Sequence, residues 1–334
     1  MRGALARRTD VLRTRWPRGI AMSSNPRDAM PGNDPVSWRI GLVGYGEVGR
    51  ILAEDLRAHG VAQVTAYDVK LDGPEAAPLR THAAEHGVAL ADSHAALAER
   101  ADFVISAVTA SQAVAVAAAC APALKAGAWF LDFNSASPGA KRNAAARVEQ
   151  AGARYVEGAV MTSVPPYRIR VPLLLGGPHA AAIAPMLAVL GFDAKAGPQE
   201  LGIASATKMC RSVMIKGLEA MVIESFTAAR AWGVEDEVLA SLAETFPGID
   251  WEKQASYFFE RVILHGRRRA EEMRESANTV REAGLEPWSA AGTANRQAWV
   301  ADLAEEGVFG EPRDARAEWR VQADRILATR DPQR

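Results

Sequence analysis

Three groups of residues have types and spacings suited to chemistry. The first is Gly44-Tyr45-Gly46-Glu47-Val48-Gly49, a G-x-G-x-x-G run between a short apolar stretch and a segment of helical periodicity. In that setting Gly44 permits a tight turn, Gly46 lets a pyrophosphate approach the backbone, and Gly49 lets helix and strand pack closely. The free N–H groups of the helix start then face the anion. The second is Asp68, which lies 24 residues after Gly44, where a carboxylate accepts hydrogen bonds from the adenosine ribose. Its charge repels a 2′-phosphate and no Arg follows it, so NAD is favoured over NADP, although Lys70 offers a phosphate some compensation. The third is Lys208, one of only seven lysines beside 32 arginines, set in a run of small and apolar residues. Burial there would lower its pKa towards neutrality, where an ammonium can both give and take a proton.

Other chemistries lack their residues. There is no G-x-S-x-G elbow and no G-x-x-x-x-G-K-[ST] loop, which argues against the hydrolase and P-loop signatures. His82 and His86 stand four apart, but the sequence shows no third ligand, so no metal is expected. Cys120 and Cys210 read as small core residues. A net charge of −1 gives no basic field for nucleic acid, and no apolar run is long enough to span a membrane. Two cysteines in 334 residues fit a reducing, cytoplasmic setting.

The elements that must position these groups follow from periodicity. Short apolar strands are expected at 39–43, 63–67, 102–108, 128–131, 154–156 and 171–175, alternating with helices such as 47–59 and 113–124. Alternation of this kind implies βαβ units and a parallel sheet. From 200 to 330 helical spacing dominates, with segments near 200–232, 235–246, 250–282, 288–304 and 314–329 punctuated by Gly233, Pro247-Gly248, Gly284 and Pro287. The expected fold class is therefore an α/β Rossmann-type domain over 37–198 followed by an all-α domain over 199–334. Residues 1–36 have an Arg-rich start and a Ser, Asn, Pro and Gly-rich end, the composition of an unfolded extension. Both a transit peptide and a start codon assigned too early fit that composition, the latter being the plainer reading.

Three further segments, taken with the glycine turn, resemble the β-hydroxyacid dehydrogenase family, which includes 3-hydroxyisobutyrate dehydrogenase and 6-phosphogluconate dehydrogenase. Asp132-Phe133-Asn134-Ser135-Ala136-Ser137-Pro138 resembles the family's Asp-x-Ser-Thr-x-x-Pro loop, so the resemblance puts Asn134 and Ser135 at the substrate. Ser137-Pro138 also reads as a helix cap followed by a first-turn proline. Glu157-Gly158-Ala159-Val160-Met161-Thr162-Ser163 resembles Asp-Ala-Pro-Val-Ser-Gly-Gly, whose last three residues cradle a carboxylate; here Met161, Thr162 and Ser163 replace them, and side chains are expected to line the pocket. Gly202-Ile203-Ala204-Ser205-Ala206-Thr207-Lys208 resembles Gly-x-Gly-x-x-x-Lys on the interdomain helix, which makes Lys208 the general acid/base, with Ser212 replacing the family's Asn one turn later. Val108 and Thr109, at the end of the DFVISAV strand, join Gly44, Tyr45, Gly46, Glu47, Val48, Gly49 and Asp68 as cofactor residues.

Beyond Lys216 the chain looks more like a variant C-terminal domain of phosphogluconate-dehydrogenase-like oxidoreductases. Its marked stretch, His265-Gly266-Arg267-Arg268-Arg269-Ala270-Glu271-Glu272-Met273, reads first as an exposed helix with i,i+4 pairs Arg267–Glu271 and Arg268–Glu272. A sharper reading has His265 or Arg268 holding a substrate carboxylate. The resemblance implies an NAD(P)-dependent oxidoreductase that interconverts a hydroxy acid and its carbonyl, acting as a homodimer joined through the helical half. An imine reductase-like NADPH enzyme and a non-catalytic dinucleotide-binding regulator are the rival readings.

Overall fold

The computed structural model describes residues 34–329; expectations for the first 33 residues fall outside the described part. Asp34, Pro35 and Val36, expected to belong to an unfolded extension, instead take a defined conformation ahead of the first strand. Pro35–Ser37 form a 3-10 turn in which the Asp34 carboxylate accepts from the Val36 N–H.

Strands and helices then alternate as β1 (Arg39–Val43), α1 (Glu47–Ala58), β2 (Gln63–Tyr67), α2 (Ala76–Glu85), β3 (Ala89–Leu90), α3 (His94–Arg100), β4 (Phe103–Ser106), α4 (Ala113–Cys120), β5 (Trp129–Asp132), α5 (Pro138–Gln150), β6 (Arg154–Val160), β7 (Leu173–Gly176), α6 (Ala180–Val189) and β8 (Ala194–Ala196). They make one eight-stranded sheet in the order β3-β2-β1-β4-β5-β6-β7-β8. The central strands are mostly apolar, as strands covered on both faces tend to be; every residue of β4 and β5 is buried, including the polar Ser106 and Asp132 at their C-terminal ends. Ile40, Leu42, Val104, Ile105, Phe130 and Leu131 anchor this core.

The expectation of a parallel sheet needs one correction. β6 and β7 run antiparallel, with Glu157 opposite Gly176 and Val160 opposite Leu173. The connection between them carries only a 3-10 turn, Arg168–Arg170, and a parallel return needs a crossover of a dozen residues or more, usually a helix. β6 is also longer than expected, because Glu157–Val160 continue the strand, and the short β3 and β8 had no period to betray them.

The remaining elements are helices: α7 (Ile203–Trp232), α8 (Glu235–Thr245), α9 (Trp251–Glu282), α10 (Trp288–Glu305) and α11 (Trp319–Ala328). α7 opens at Gly202, whose φ of +94° suits glycine, and closes at Gly233 in the left-handed region. Phe226, Trp251, Phe259, Val262 and Trp319 form the second core. α9 crosses α10 closely at Gly266, where a Cβ would stand 2.7 Å from the Gln297 carbonyl oxygen. No helix among the described residues is long and apolar enough to cross a membrane.

Candidate active site

Register brings the site together. Val43 pairs with Ser106, Ser106 with Asp132, and Asp132 with Glu157, all in parallel strands. The glycine turn after β1, the loop after β4 and the loop after β5 therefore leave the sheet at one level on its C-terminal edge. Ligands of open α/β sheets bind at that edge.

The glycine turn has the geometry its sequence requires. Gly44 has a φ of +90°, with the Ala107 carbonyl 2.4 Å from where a Cβ would lie. A Cβ on Gly49 would stand 2.0 Å from the Gly44 carbonyl oxygen, so this position must stay bare for α1 to start here. A Cβ on Gly46 would meet nothing within 4 Å, which leaves open space over the turn for a pyrophosphate. The residues thus fit a dinucleotide. Tyr45 turns away from this space: its side chain is buried and its hydroxyl lies 2.9 Å from His82 Nδ1. Asp68 accepts from the Tyr45 N–H at 2.7 Å and the Lys70 N–H at 3.0 Å, so it braces the turn. Glu47 is exposed at the head of α1, Val48 packs on the core, Val108 is partly buried and Thr109 is exposed.

The β5 loop rests on a buried polar network. Asp132 pairs with Lys141 at 2.9 Å and accepts from the Tyr155 hydroxyl at 2.8 Å. Lys141 also donates to the carbonyl oxygens of Asp132 and Gly158. Next to Asp132 the carboxamide of Asn134 accepts from the Val108 N–H at 2.7 Å and donates to Ser106 Oγ and Asp132 Oδ1. Asn134 is thus committed to joining two loops, which corrects the expectation that it lies against substrate; its neighbour Ser135 faces the lysine. Neither Lys141 nor the Asp132 carboxylate was singled out from sequence, although the scarcity of lysine that marked Lys208 marks Lys141 equally.

Lys208 arrives from α7. The Glu157 carboxylate accepts from the N–H groups of Gly202 at 2.7 Å and Ser205 at 2.5 Å, fixing the first turn of that helix and placing a negative charge at its positive end. One and a half turns on, Lys208 Nζ donates to Ser135 Oγ at 2.5 Å. Burial pushes its ammonium down to about 7; Glu272 opposes the shift, while Lys216, Lys141 and Arg268 add to it. Lys216 is buried two turns further along α7 and pairs with Glu272 of α9 at 2.5 Å. Burial works against the Glu272 charge, but Lys216 and Lys208 outweigh it and hold the carboxyl at about 2. Ser212 is buried between the two lysines on α7. Met161 extends β6 by donating to the Pro172 carbonyl, Thr162 is exposed and Ser163 half-buried.

The arginines of α9 divide their partners. Arg267 reaches Asp302 and Glu305 of α10 rather than Glu271. Arg268 does lie 3.9 Å from Glu272, and it is also 3.8 Å from Glu47 at the head of α1. Arg269 is buried against Glu219 of α7. Burial, with Arg268 and Arg261 nearby, depresses the pKa of His265. Cys120 is buried, and burial pushes its thiol up to about 12, whereas Cys210 is exposed on α7, contrary to the core position expected for it.

Known proteins match this arrangement. Residues 39–191 match the NAD-binding domain of 6-phosphogluconate dehydrogenase, and residues 229–300 match a domain of unknown function, DUF1932. A conserved hypothetical protein from Sinorhizobium meliloti 1021 is 36% identical over 86% of this chain and 95% of its own, with a TM-score of 0.69. The chain belongs to the 6-phosphogluconate dehydrogenase-like NAD-binding family. Conserved protein MTH1747, whose structure is described as similar to 3-hydroxyacid dehydrogenases, is 29% identical to this family member (80% of this chain, 98% of that one, TM-score 0.62). Mycobacterium tuberculosis 3-hydroxyisobutyrate dehydrogenase, solved with L-serine, shares the fold at 18% identity (88% and 100% covered, TM-score 0.59). A Rossmann-like domain followed by a helical region is the architecture of these dehydrogenases and of this family member alike.

Proposed function

We propose that the chain is an NAD(P)-dependent oxidoreductase that interconverts a hydroxy acid and the corresponding carbonyl compound, with Lys208 as general acid/base. The observation that supports this most is Lys208 itself: partly buried, held near neutrality and hydrogen-bonded to Ser135 at the sheet edge that carries the glycine turn. Gly44, Gly46, Gly49 and the head of α1 would hold the pyrophosphate, and Asp68 the ribose of NAD in preference to NADP. When bound, the nicotinamide supplies or accepts hydride. Charge then builds on the substrate oxygen, and a proton donor with a pKa near the working pH is the efficient partner for it. Lys208 gives its proton to that oxygen in reduction and takes it in oxidation. Ser135 orients the ammonium, Ser212 lies one turn away, and Glu272 with Lys216 sets the surrounding charge. Two cations near Lys208, Lys216 and Arg268, suit a carboxylate on the substrate.

The test is NADH consumption across a panel of 2- and 3-oxo acids, run beside cyclic imines and with NADPH. Turnover of an oxo acid that fails in Lys208→Ala supports the reading. Turnover of imines alone selects the imine reductase, and tight NADH binding without turnover of either class selects the regulator.

A further inference from the structure

We propose that Glu54, His82 and His86 form a seat for a zinc-type divalent ion where α1 meets α2. His82 lies in the last turn of α2 and His86 is its C-cap residue, so the four-residue spacing puts both on one side of the helix. Their rings stack with centroids 4.4 Å apart. α1 adds Glu54, and one ligand atom from each of the three residues lies within 4.8 Å of the others. Around a tetrahedral ion bound at about 2.0–2.1 Å, ligand atoms stand roughly 3.4 Å apart. Ring and carboxylate rotations on the order of an ångström therefore close the set.

The surroundings are those of a ligating histidine. His82 Nε2 is 2.9 Å from Glu54 Oε1, and its Nδ1 is 2.9 Å from the Tyr45 hydroxyl. Without an ion, Nε2 donates to Glu54, since a carboxylate only accepts; a hydroxyl both donates and accepts, so on ion binding the imidazole proton can pass to Nδ1, towards Tyr45, and leave the Nε2 lone pair to the ion. Fixing the far nitrogen in this way orients metal-binding histidines generally. Glu54 gives its other oxygen, Oε2, to Arg168 at 2.6 Å, which leaves Oε1 for the ion. Arg168 is itself shared with Asp55 at 2.8 Å, so two carboxylates offset its charge beside the seat. With neutral imidazoles, these groups sum to one negative charge, which favours a dication. Two nitrogens and one oxygen suit Zn²⁺, Co²⁺ or Ni²⁺ and disfavour Mg²⁺ and Ca²⁺. Glu54 and His82 keep side-chain exposures of 28% and 13%, so an ion can enter from solvent. Such an ion would tie α1 to α2 and, through Tyr45, to the glycine turn.

The probe is Co²⁺, titrated into chelator-stripped full-length protein and followed by its visible d–d absorption, with Zn²⁺ as competitor. One equivalent is expected to bind, to be displaced by Zn²⁺ and to be untouched by millimolar Mg²⁺. His86→Ala and Glu54→Gln should each weaken binding tenfold or more, and Tyr45→Phe on the order of tenfold, the usual effect of losing an orienting partner. His86→Gln repeats the test with a polar residue at the helix end should the alanine variant misfold. Cys210→Ser controls for the exposed thiol and should bind as the parent does. Absence of binding, binding that survives His86→Ala and His86→Gln, or binding lost in Cys210→Ser would each overturn the assignment.

Discussion

At the scale of single residues, the site turns on how one ammonium is kept near neutrality. Lys208→Ala should lower kcat by about 10²–10⁴-fold, the usual worth of general acid catalysis, and leave NADH affinity almost intact in a fluorescence titration. Lys208→Arg should rescue little, because a guanidinium keeps its proton at neutral pH. The pH dependence has a definite sign. Reduction needs the charged lysine, so its rate should fall as pH rises through about 7, while oxidation, which needs the neutral amine, should rise over the same range. Glu272 pulls the Lys208 pKa upward against burial. Glu272→Gln should therefore move both limbs to lower pH, and pH–rate profiles of the two proteins would show it. Asp68→Ala should weaken NAD by roughly 1–3 kcal/mol and relax discrimination against NADP, read by titrating both cofactors. The Tyr45 N–H also loses its acceptor in that variant, so a uniform weakening with unchanged preference would assign Asp68 to the turn alone. The turn glycines and the burial of Lys208 were legible in the sequence because their signals are local: a positive φ, a bare backbone, a lone cation among small residues. Asn134 misled because its loop position is visible in sequence while the direction of its carboxamide is decided by Ser106 and Val108, about 26 residues away.

At the scale of elements, α7 depends on a strand for its beginning. Its N-terminus has no side-chain cap of its own, and Glu157 of β6 takes that part across 45 residues of sequence. Glu157→Ala leaves two buried N–H groups without an acceptor and should cost about 1–3 kcal/mol, measured by chemical denaturation. Because Lys208 rides on the same helix, kcat should fall further than stability explains at temperatures where the variant is fully folded. The helices of the C-terminal half were legible to within about three residues, except α11, which begins at Trp319 and not near 314, since long amphipathic segments repeat their signal several times between Gly and Pro stops. The β6–β7 reversal was not. Apolar runs of four or five residues look alike in either direction, and only the missing crossover helix between them sets the orientation.

At the scale of the whole molecule, the apolar residues of the helical half divide in two. Val222, Trp251, Phe258, Phe259 and Val262 are consumed by this chain's own core. Outside that core, besides Leu285 and Trp288 near the start of α10, the most exposed apolar side chains form a line along α7: Met214, Met221 and Trp232, exposed by 73%, 61% and 83%. Spacings of seven and eleven residues keep all three on one face, a stripe of about 27 Å at roughly 1.5 Å per residue. This stripe is where a two-fold dimer would pack. Light scattering should give a dimer at micromolar concentration and a monomer for Met214→Lys/Met221→Lys; a monomeric parent protein would refute the assembly. The β5 loop carries a different consequence, one of time. α5 begins just past Ser135, and the N–H groups of Ser137 and Gly139 donate to Glu275 and Glu282 of α9, 138 and 143 residues later in the chain. A ribosome adding about 5–20 residues per second therefore completes the dinucleotide-binding sheet, whose last strand ends at Ala196, roughly 4–17 s before it delivers the carboxylates that clamp this loop. On a nascent chain halted after α8, the glycine turn is already made while the loop that meets Lys208 still waits for its clasp.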